Sequence, residues 1–421
     1  MRQTFHFTAR IIIVSVLFLV LFSYAMFQGG FVSWFLFYSF LPFLIYMTAL
    51  TFYRLDKWEV VRHLSKRVAT AGETVQVEVK INRRFPFPIY YCVVEEYFPE
   101  SLMSEDYHLE KYRYMDKGIL NEERRHVKKI SFPWFKRHMS YQYELQGVPR
   151  GEHHLSALRV KTGDFFGFIK KEYVYNLDHQ FLVFPYQRPV RLTEKAYSFE
   201  QGASPSFKLN EKNTTIVSGV REYVPGDRFS WIDWKNTAKS NQMMTKEFEQ
   251  EKSVDILLVL NAVHCEKASP LSFEGAVEFS ASLLKEMHKN SSQLAFMTLG
   301  DGKRYFPFQQ DYKHKEKINH HLAKIKAIRR TSFAKQLERE RSQFPSGIVV
   351  LIVSHQLNPL VLESLTRIAQ KSKRVVFFYV KPQKQLDFQD RKLIKKLSNN
   401  RIVVNVITEE ELTQREFEVN T

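Results

Sequence analysis

The spacing of apolar residues changes character three times along the chain. The run 11–27, IIIVSVLFLVLFSYAMF, carries no charge, and after Gln28-Gly29-Gly30 a second uncharged run, FVSWFLFYSFLPFLIYMTALTFY, fills 31–53. As helices both can cross about 30 Å of hydrocarbon, the first only just. Neither run has the polar face of an ordinary core helix, and the three-residue break predicts a transmembrane helical hairpin. Pro42 is tolerable there as a kink. Arg2 and Arg10 precede the first run, and Arg54, Lys57, Arg62, Lys66 and Arg67 follow the second. The excess of positive charge at both outer ends predicts that both termini are cytoplasmic. A secretory signal peptide ending near Ser23-Tyr24-Ala25 is the competing reading; the second run would still cross inward, leaving the bulk of the chain on the same side. Residues 1–67 are thus expected to form the hairpin and a basic junction.

The second pattern has period two. In ETVQVEVKIN (73–82), Val75, Val77, Val79 and Ile81 alternate with Gln76, Glu78 and Lys80, which predicts a half-buried strand. Short β-rich pieces at 89–98, 140–146, 153–161 and 168–176 follow, separated by Pro86, Pro88, Pro99, Pro149 and Gly151. They predict a small antiparallel β-sandwich over 68–185. His153 and His154 are adjacent on one strand, so their rings point to opposite faces and form no chelate.

The third pattern alternates continuous apolar strands with helical spacing. DILLVL (255–260) precedes a helix opened by Ser269-Pro270, and QLAFMTL, GIVVLIVS, RVVFFYV and RIVVNVIT then alternate with helices near 315–328, 360–370 and 391–397. Such a sequence predicts a mostly parallel sheet covered on both faces, a doubly wound α/β domain over 253–421. Between it and the sandwich, 186–252 reads as a polar connector, with GASPS at 202–206, leading into a distinctive segment.

Composition adds two constraints. A mean hydropathy of −0.32 excludes a polytopic transporter, because the apolar residues are concentrated in the two N-terminal runs. Lys and Arg exceed Asp and Glu by 62 to 45, a net charge of +17 that suits an anionic surface; attraction to a negative leaflet accounts for it, and no nucleic-acid partner is expected. Two cysteines, Cys92 and Cys265, in unrelated contexts predict no disulfide framework.

Chemistry in a doubly wound domain is sought at the carboxyl ends of its strands. No G-x-G-x-x-G or G-x-x-x-x-G-K-[ST] loop follows any strand, which removes the dinucleotide and P-loop options. Gly300-Asp301-Gly302 reads as a hairpin turn. The order of strands and helices resembles a von Willebrand factor A-like domain. That family holds Mg²⁺ on a D-x-S-x-S loop, an intermediate Thr and a later Asp. The matching positions here are Asn261, Val263 and Cys265, then Thr331 or Ser332, then His355. Val263 and Cys265 replace oxygens with atoms that magnesium binds badly or not at all, so the resemblance implies an A-like fold with a degenerate metal site and no cofactor.

The most distinctive segment is 219–251, GVREYVPGDRFSWIDWKNTAKSNQMMTKEFEQE. Pro225-Gly226 suits a type II turn that Asp227 can close, and Asp227 and Asp233 beside Arg221, Lys235 and Lys239 read as an ion-pair network rather than an acid/base pair. Its R-x-Y-x-P-G-D and I-D-W-K-x-x-A-K pieces resemble the signature of the bacterial "domain of unknown function 58" family. Upstream, GVPRGEHHLSALRVKTGDFFGFIK (147–170) is similar to that family's R-G … D-P-F-G-L stretch, with Asp164, Phe166 and Gly167 at matching positions. The resemblance implies a bacterial cell-membrane protein without established enzymatic activity, whose relatives are commonly encoded beside a MoxR-type AAA+ ATPase and often a transglutaminase-like membrane protein. The expectation is a non-enzymatic, membrane-anchored adaptor, with a hydrolase or transferase of unrecognised type as the alternative. Arg221, Tyr223, Pro225, Gly226, Asp227, Asp233, Trp234, Lys235 and Lys239 are expected to shape a partner-docking or inter-domain surface.

Overall fold

The computed structural model of the chain describes residues 2–116, 125–193, 215–250, 255–266, 268–289, 293–309, 311–329 and 332–420. These divide into two compact units. The first comprises Met1–Asp106 and Asn121–Val183, the second Tyr107–Leu120 and Phe184–Thr421.

The first unit opens with two helices, α1 (Arg2–Gln28) and α2 (Phe31–Phe52), which contain stretches of 19 and 22 residues apolar enough to span a membrane. Phe37 of α2 meets Phe18 and Phe22 of α1 edge-on, at 5.8 and 5.9 Å between ring centroids. Eight strands follow: β1 (Glu59–Leu64), β2 (Val68–Thr70), β3 (Val75–Asn82), β4 (Tyr91–Tyr97), β5 (Lys128–Ser131), β6 (His138–Leu145), β7 (Gly151–Gly163) and β8 (Lys170–Phe184), with β1-β3-β6 and β8-β7-β4-β5 paired antiparallel. One sheet has the order β1-β3-β6 and the other β2-β8-β7-β4-β5. The alternation read in 73–82 is the burial pattern of β3, whose Val75, Val77, Val79 and Ile81 all point inward. His153 is buried and His154 exposed, as their alternation requires.

The first strand lies inside the segment assigned to the basic junction. Its inward positions are Val60 and Arg62, so period two is broken in the sequence by a charged residue. Arg62 is buried with both terminal nitrogens of its guanidinium engaged. Nη1 donates to the carbonyls of Leu155 (2.8 Å) and Leu177 (2.9 Å), and Nη2 pairs with Glu96, which also accepts from Tyr143 Oη at 2.6 Å. The pair joins the two sheets, and a buried charge is tolerated when it is paired and hydrogen-bonded in this way.

The second unit is the α/β body. Its strands are β9 (Val190–Thr193), β10 (Thr215–Glu222), β11 (Met244–Gln250), β12 (Ile256–Asn261), β13 (Leu294–Gly300), β14 (Gly302–Phe306), β15 (Val349–Ser354), β16 (Arg374–Val380), β17 (Ile402–Ile407) and β18 (Phe417–Asn420). The helices are α3 (Trp234–Ser240), α4 (Pro270–Lys289), α5 (Tyr312–Lys324), α6 (Phe333–Glu340), α7 (Pro359–Ala369), α8 (Phe388–Asn399) and α9 (Glu409–Thr413). The central sheet runs β14-β13-β12-β15-β16-β17, parallel except for the edge hairpin β13–β14 that turns at Gly300-Asp301-Gly302. Strand order reverses between β12 and β15. Every residue of β12, β13 and β15 is buried, which is why these strands read as continuous apolar runs.

Three boundaries differ from the sequence reading. Val190–Thr193, placed in the connector, is β9 and pairs in parallel with β18, a partner more than 200 residues away that no local pattern reveals. The polar stretch 194–214, including GASPS, lies outside the described residues. Tyr107–Leu120, placed in the sandwich, belongs to the α/β body: Tyr112 and Met115, in and just after the 3-10 turns His108–Tyr114, are fully buried in its core. Lys111 is ion-paired with Glu278 of α4, whose second oxygen lies 3.6 Å from Arg188 Nη2. Helix α5 spans 312–324 rather than 315–328, and the short α6 was not anticipated.

Candidate functional site

The 219–251 signature folds as a two-stranded antiparallel hairpin, β10–β11, with α3 in its connection. At the tip, Asp227 N donates to the Val224 carbonyl at 3.0 Å, closing a turn whose central residues are Pro225 and Gly226. Gly226 has φ +118°, a conformation that side-chain-bearing residues rarely adopt, so the type II reading is right and the glycine is required. The Asp227 carboxylate accepts two bonds from the Arg221 guanidinium, both 2.8 Å, and a third from Val224 N at 3.1 Å. The Arg221 contacts, then the Val224 amide, hold its carboxyl below the usual carboxylate range.

Asp233 does something other than join an ion-pair network. It is the N-cap of α3: Oδ1 accepts from the backbone N of Lys235 (3.1 Å) and Asn236 (3.2 Å), and Oδ2 from Asn236 Nδ2 (3.1 Å). These bonds, the Asn236 amide foremost, lower its pKa. An aspartate directly before a short helical run was the available signal, and the neighbouring lysines obscured it.

With its two aspartates committed to holding shape, the element also shows the solvent aromatic rings and cations. Trp234 is 68% exposed and Phe229 74%. Arg228, Lys235 and Lys239 are exposed around them, and the Arg228 guanidinium lies 5.4 Å from the centre of the Trp231 ring. Tyr223 anchors the backbone, its N donating to the Met243 carbonyl at 2.8 Å. Only Ile232 and Thr245 of the element's described side chains are buried. The nine residues singled out are therefore brought together, but in two roles: Arg221, Tyr223, Pro225, Gly226, Asp227 and Asp233 shape the element, while Trp234, Lys235 and Lys239 face outward. Arg228 and Phe229 join the second group and were not anticipated.

Of the positions matched to a metal loop, Asn261, Val263 and His355 meet at the switch between β12 and β15, Ser332 is the residue before α6, and Thr331 lies outside the described residues. Asn261 Nδ2 donates to Ser354 Oγ at 2.9 Å, and Asn261 Oδ1 accepts from Val263 N at 2.9 Å. The Val263 carbonyl accepts from His355 Nε2 (3.0 Å) and from Gln356 Nε2 (2.9 Å). Burial pushes the His355 imidazole down to about 4, so it is neutral and donates from Nε2; its Nδ1 is buried without a hydrogen-bond partner among the described residues. Asn261, Ser354, the Val263 carbonyl and His355 Nε2 are committed to these bonds, the Val263 side chain offers only methyls, and Cys265 offers a soft thiol. This donor set does not suit a hard divalent cation. Gln356, central to the network, carried no sequence signal.

A cleft of about 990 Å³ opens between α5 and the β13–β14 hairpin, lined by Arg304, Lys313, Lys317 and Lys326 over a base where Thr298 Oγ1 meets His321 Nε2 at 2.8 Å. Its lining carries both signs of charge, Asp301 and Glu316 standing beside the cations.

A family model described as "Protein of unknown function DUF58" matches residues 219–418, the signature and nearly all of the α/β body. "Uncharacterized protein YeaD" of Bacillus subtilis (strain 168) is 38% identical over 314 residues, which cover 75% of this chain and 74% of its own. Among solved structures, the sporulation control protein Spo0M of Bacillus subtilis matches with 14% identity and a TM-score of 0.14 over 30% of this chain and about half, 49%, of its own. The PilB minor pilin of Streptococcus sanguinis matches with 6% identity and a TM-score of 0.28 over 77% of this chain and 85% of its own. Superpositions this loose carry no argument about fold or function. The breadth of identity with YeaD does, and the chain belongs to the DUF58 family of proteins of unknown function.

Proposed function

We propose that the protein is a non-enzymatic, membrane-anchored adaptor that docks a MoxR-type AAA+ ATPase through the β10–β11 signature hairpin, on the cytoplasmic side of a bacterial cell membrane. One observation carries this reading: the motif's two aspartates brace its backbone, while Phe229 and Trp234 stand exposed, as do Arg228, Lys235 and Lys239. Exposed aromatics on a rigid frame with a cationic rim are the composition of a protein-binding hot spot. A transglutaminase-like membrane protein is the second partner implied by the family resemblance.

The α/β body is read as a von Willebrand factor A-like domain. Its support is the sheet order β14-β13-β12-β15-β16-β17 with an antiparallel edge strand, and the switch point between β12 and β15. The hydrogen bonds that engage Asn261, the Val263 carbonyl and His355 Nε2 support a degenerate metal position at that switch.

The test is affinity purification of the full-length protein from its own detergent-solubilised membranes beside a Phe229→Ala/Trp234→Ala variant with unchanged melting temperature. Recovery of an AAA+ ATPase with the native protein and its loss with the variant is the expected result. Equal recovery with both would move the docking surface elsewhere, and absence of the ATPase from both would sink the adaptor reading.

A further inference from the structure

The first unit carries a second cluster of exposed aromatics, on three loops beside α2. Phe85 (67% exposed), Phe135 (64%) and Phe165 (61%) are the largest exposures, and Phe132, Trp134, Phe166 and Phe168 accompany them. A soluble face rarely displays so many rings together. The loops are 83–90, 132–137 and 164–169, and Tyr90 joins them, its ring lying 5.8 Å from Phe132, 6.0 Å from Trp134 and 5.0 Å from Phe165.

Their depth along α2 can be measured. Lys171 Nζ bonds the carbonyls of Leu50 (3.1 Å), Thr51 (2.9 Å) and Tyr53, and so marks the sandwich end of the helix. Phe166 instead meets Phe43 at 5.4 Å and Phe40 at 6.4 Å. At 1.5 Å per residue these lie about 10 and 15 Å further along the axis than Leu50. If α2 spans the bilayer, that ring lies on the hydrocarbon side of the lysine.

The loops are also built for a place short of water. Irregular backbone at membrane depth must satisfy its polar groups internally. The buried Arg83 guanidinium donates to the carbonyls of Phe87 (2.9 Å), Trp134 (3.0 Å) and Lys136 (2.8 Å from Nε). The buried Asp164 carboxylate accepts from the backbone N of Phe166 (3.1 Å) and of Ile169. Around the rings, Arg84, Lys136, Arg137 and Lys170 are exposed, cations suited to an anionic leaflet.

We infer that these three aromatic loops insert into the cytoplasmic leaflet alongside α1 and α2, so that the β-sandwich is seated in the headgroup and upper acyl region. The surface they form is continuous with the lipid-facing side of α2, and the occupant is lipid. The aspartate-bearing stretch GDFFGF (163–168) is thereby an interfacial wedge. The inference rests on the reading of α1 and α2 as membrane-spanning.

The test uses full-length protein in vesicles of phosphatidylethanolamine and phosphatidylglycerol, with Cys265→Ser to silence the accessible thiol. Nitroxide labels are placed singly at Phe85→Cys, Phe135→Cys and Phe165→Cys, with Leu19→Cys on α1 and Glu144→Cys at the opposite end of β6 as references. The logarithm of the ratio of oxygen to water-soluble nickel-chelate collisions is read at each site. Positive values at 85, 135 and 165, with the sign of Leu19→Cys and opposite to Glu144→Cys, are expected. Values matching Glu144→Cys while Leu19→Cys stays positive would overturn the insertion and leave the anchor standing. A water-like value at Leu19→Cys would remove the anchor and the insertion together.

Discussion

Arg221 and Asp227 face each other as a two-bond pair, with both N···O distances 2.8 Å, across the turn that precedes the exposed aromatics of the signature. The depressed folded-state pKa of Asp227 means that the pair is complete above the ordinary carboxylate range and is lost as pH falls through the depressed value. Arg221→Ala is expected to return the Asp227 carboxyl toward its ordinary pKa and to reduce ATPase recovery, with little change in global melting temperature. A carboxyl-carbon NMR titration in detergent micelles, run beside the affinity purification, checks both.

His355 gives an acid-side signature of a different origin. Its folded-state pKa of about 4 lies below the unfolded value of about 6.5, so the unfolded chain takes up the proton first as pH falls. Its contribution is complete above the unfolded value and is lost between roughly pH 6.5 and 4, about 3 kcal/mol in total by linkage. Melting temperatures against pH for the native protein and His355→Gln should diverge in that window, the variant showing the shallower decline.

The buried Lys111–Glu278 pair should be costly to break. Removing Lys111 takes from Glu278 its close ammonium partner, with Arg188 Nη2 at a longer 3.6 Å, and loss of one partner of a buried pair typically costs about 3–5 kcal/mol. Lys111→Ala should therefore lower the melting temperature of the α/β body more than Lys384→Ala, which breaks an exposed pair with Asp116 and is expected to cost under about 1 kcal/mol.

Gly163 opens the 164–169 loop where no side chain fits. A Cβ there would sit 2.4 Å from Tyr91 Oη and 2.6 Å from the Ile169 carbonyl oxygen. Gly163→Ala should destabilise the first unit by about 1–3 kcal/mol, the range for forced overpacking. Thermal melts resolve this, and an unchanged transition would mean that the loop yields freely.

Most of the architecture was visible in the periods of the sequence, because each sheet buries its faces differently. Val75 to Ile81 alternate since one face of β3 is wet, and Val349 to Ser354 run unbroken since both faces of β15 are covered. The reading failed where a charged residue points inward, as Arg62 does in β1, and where a partner is remote, as β18 is from β9. At the signature, the turn chemistry of Pro225, Gly226 and Asp227 was legible residue by residue. The capping role of Asp233 was hidden by nearby cations, and Gln356 was silent because an amide chosen for one carbonyl leaves no pattern.

The placement of Tyr107–Leu120 bears on how this protein can be divided. The core of the α/β body is encoded in two pieces, with part of the sandwich's sequence between them. A fragment starting after Val183 would keep every strand of the central sheet yet lack Tyr112 and Met115, and it would strip Glu278 of its lysine. The body is therefore not a cassette that recombination, proteolysis or a cloning junction can lift out intact, and the two units are bound to be inherited and expressed as one.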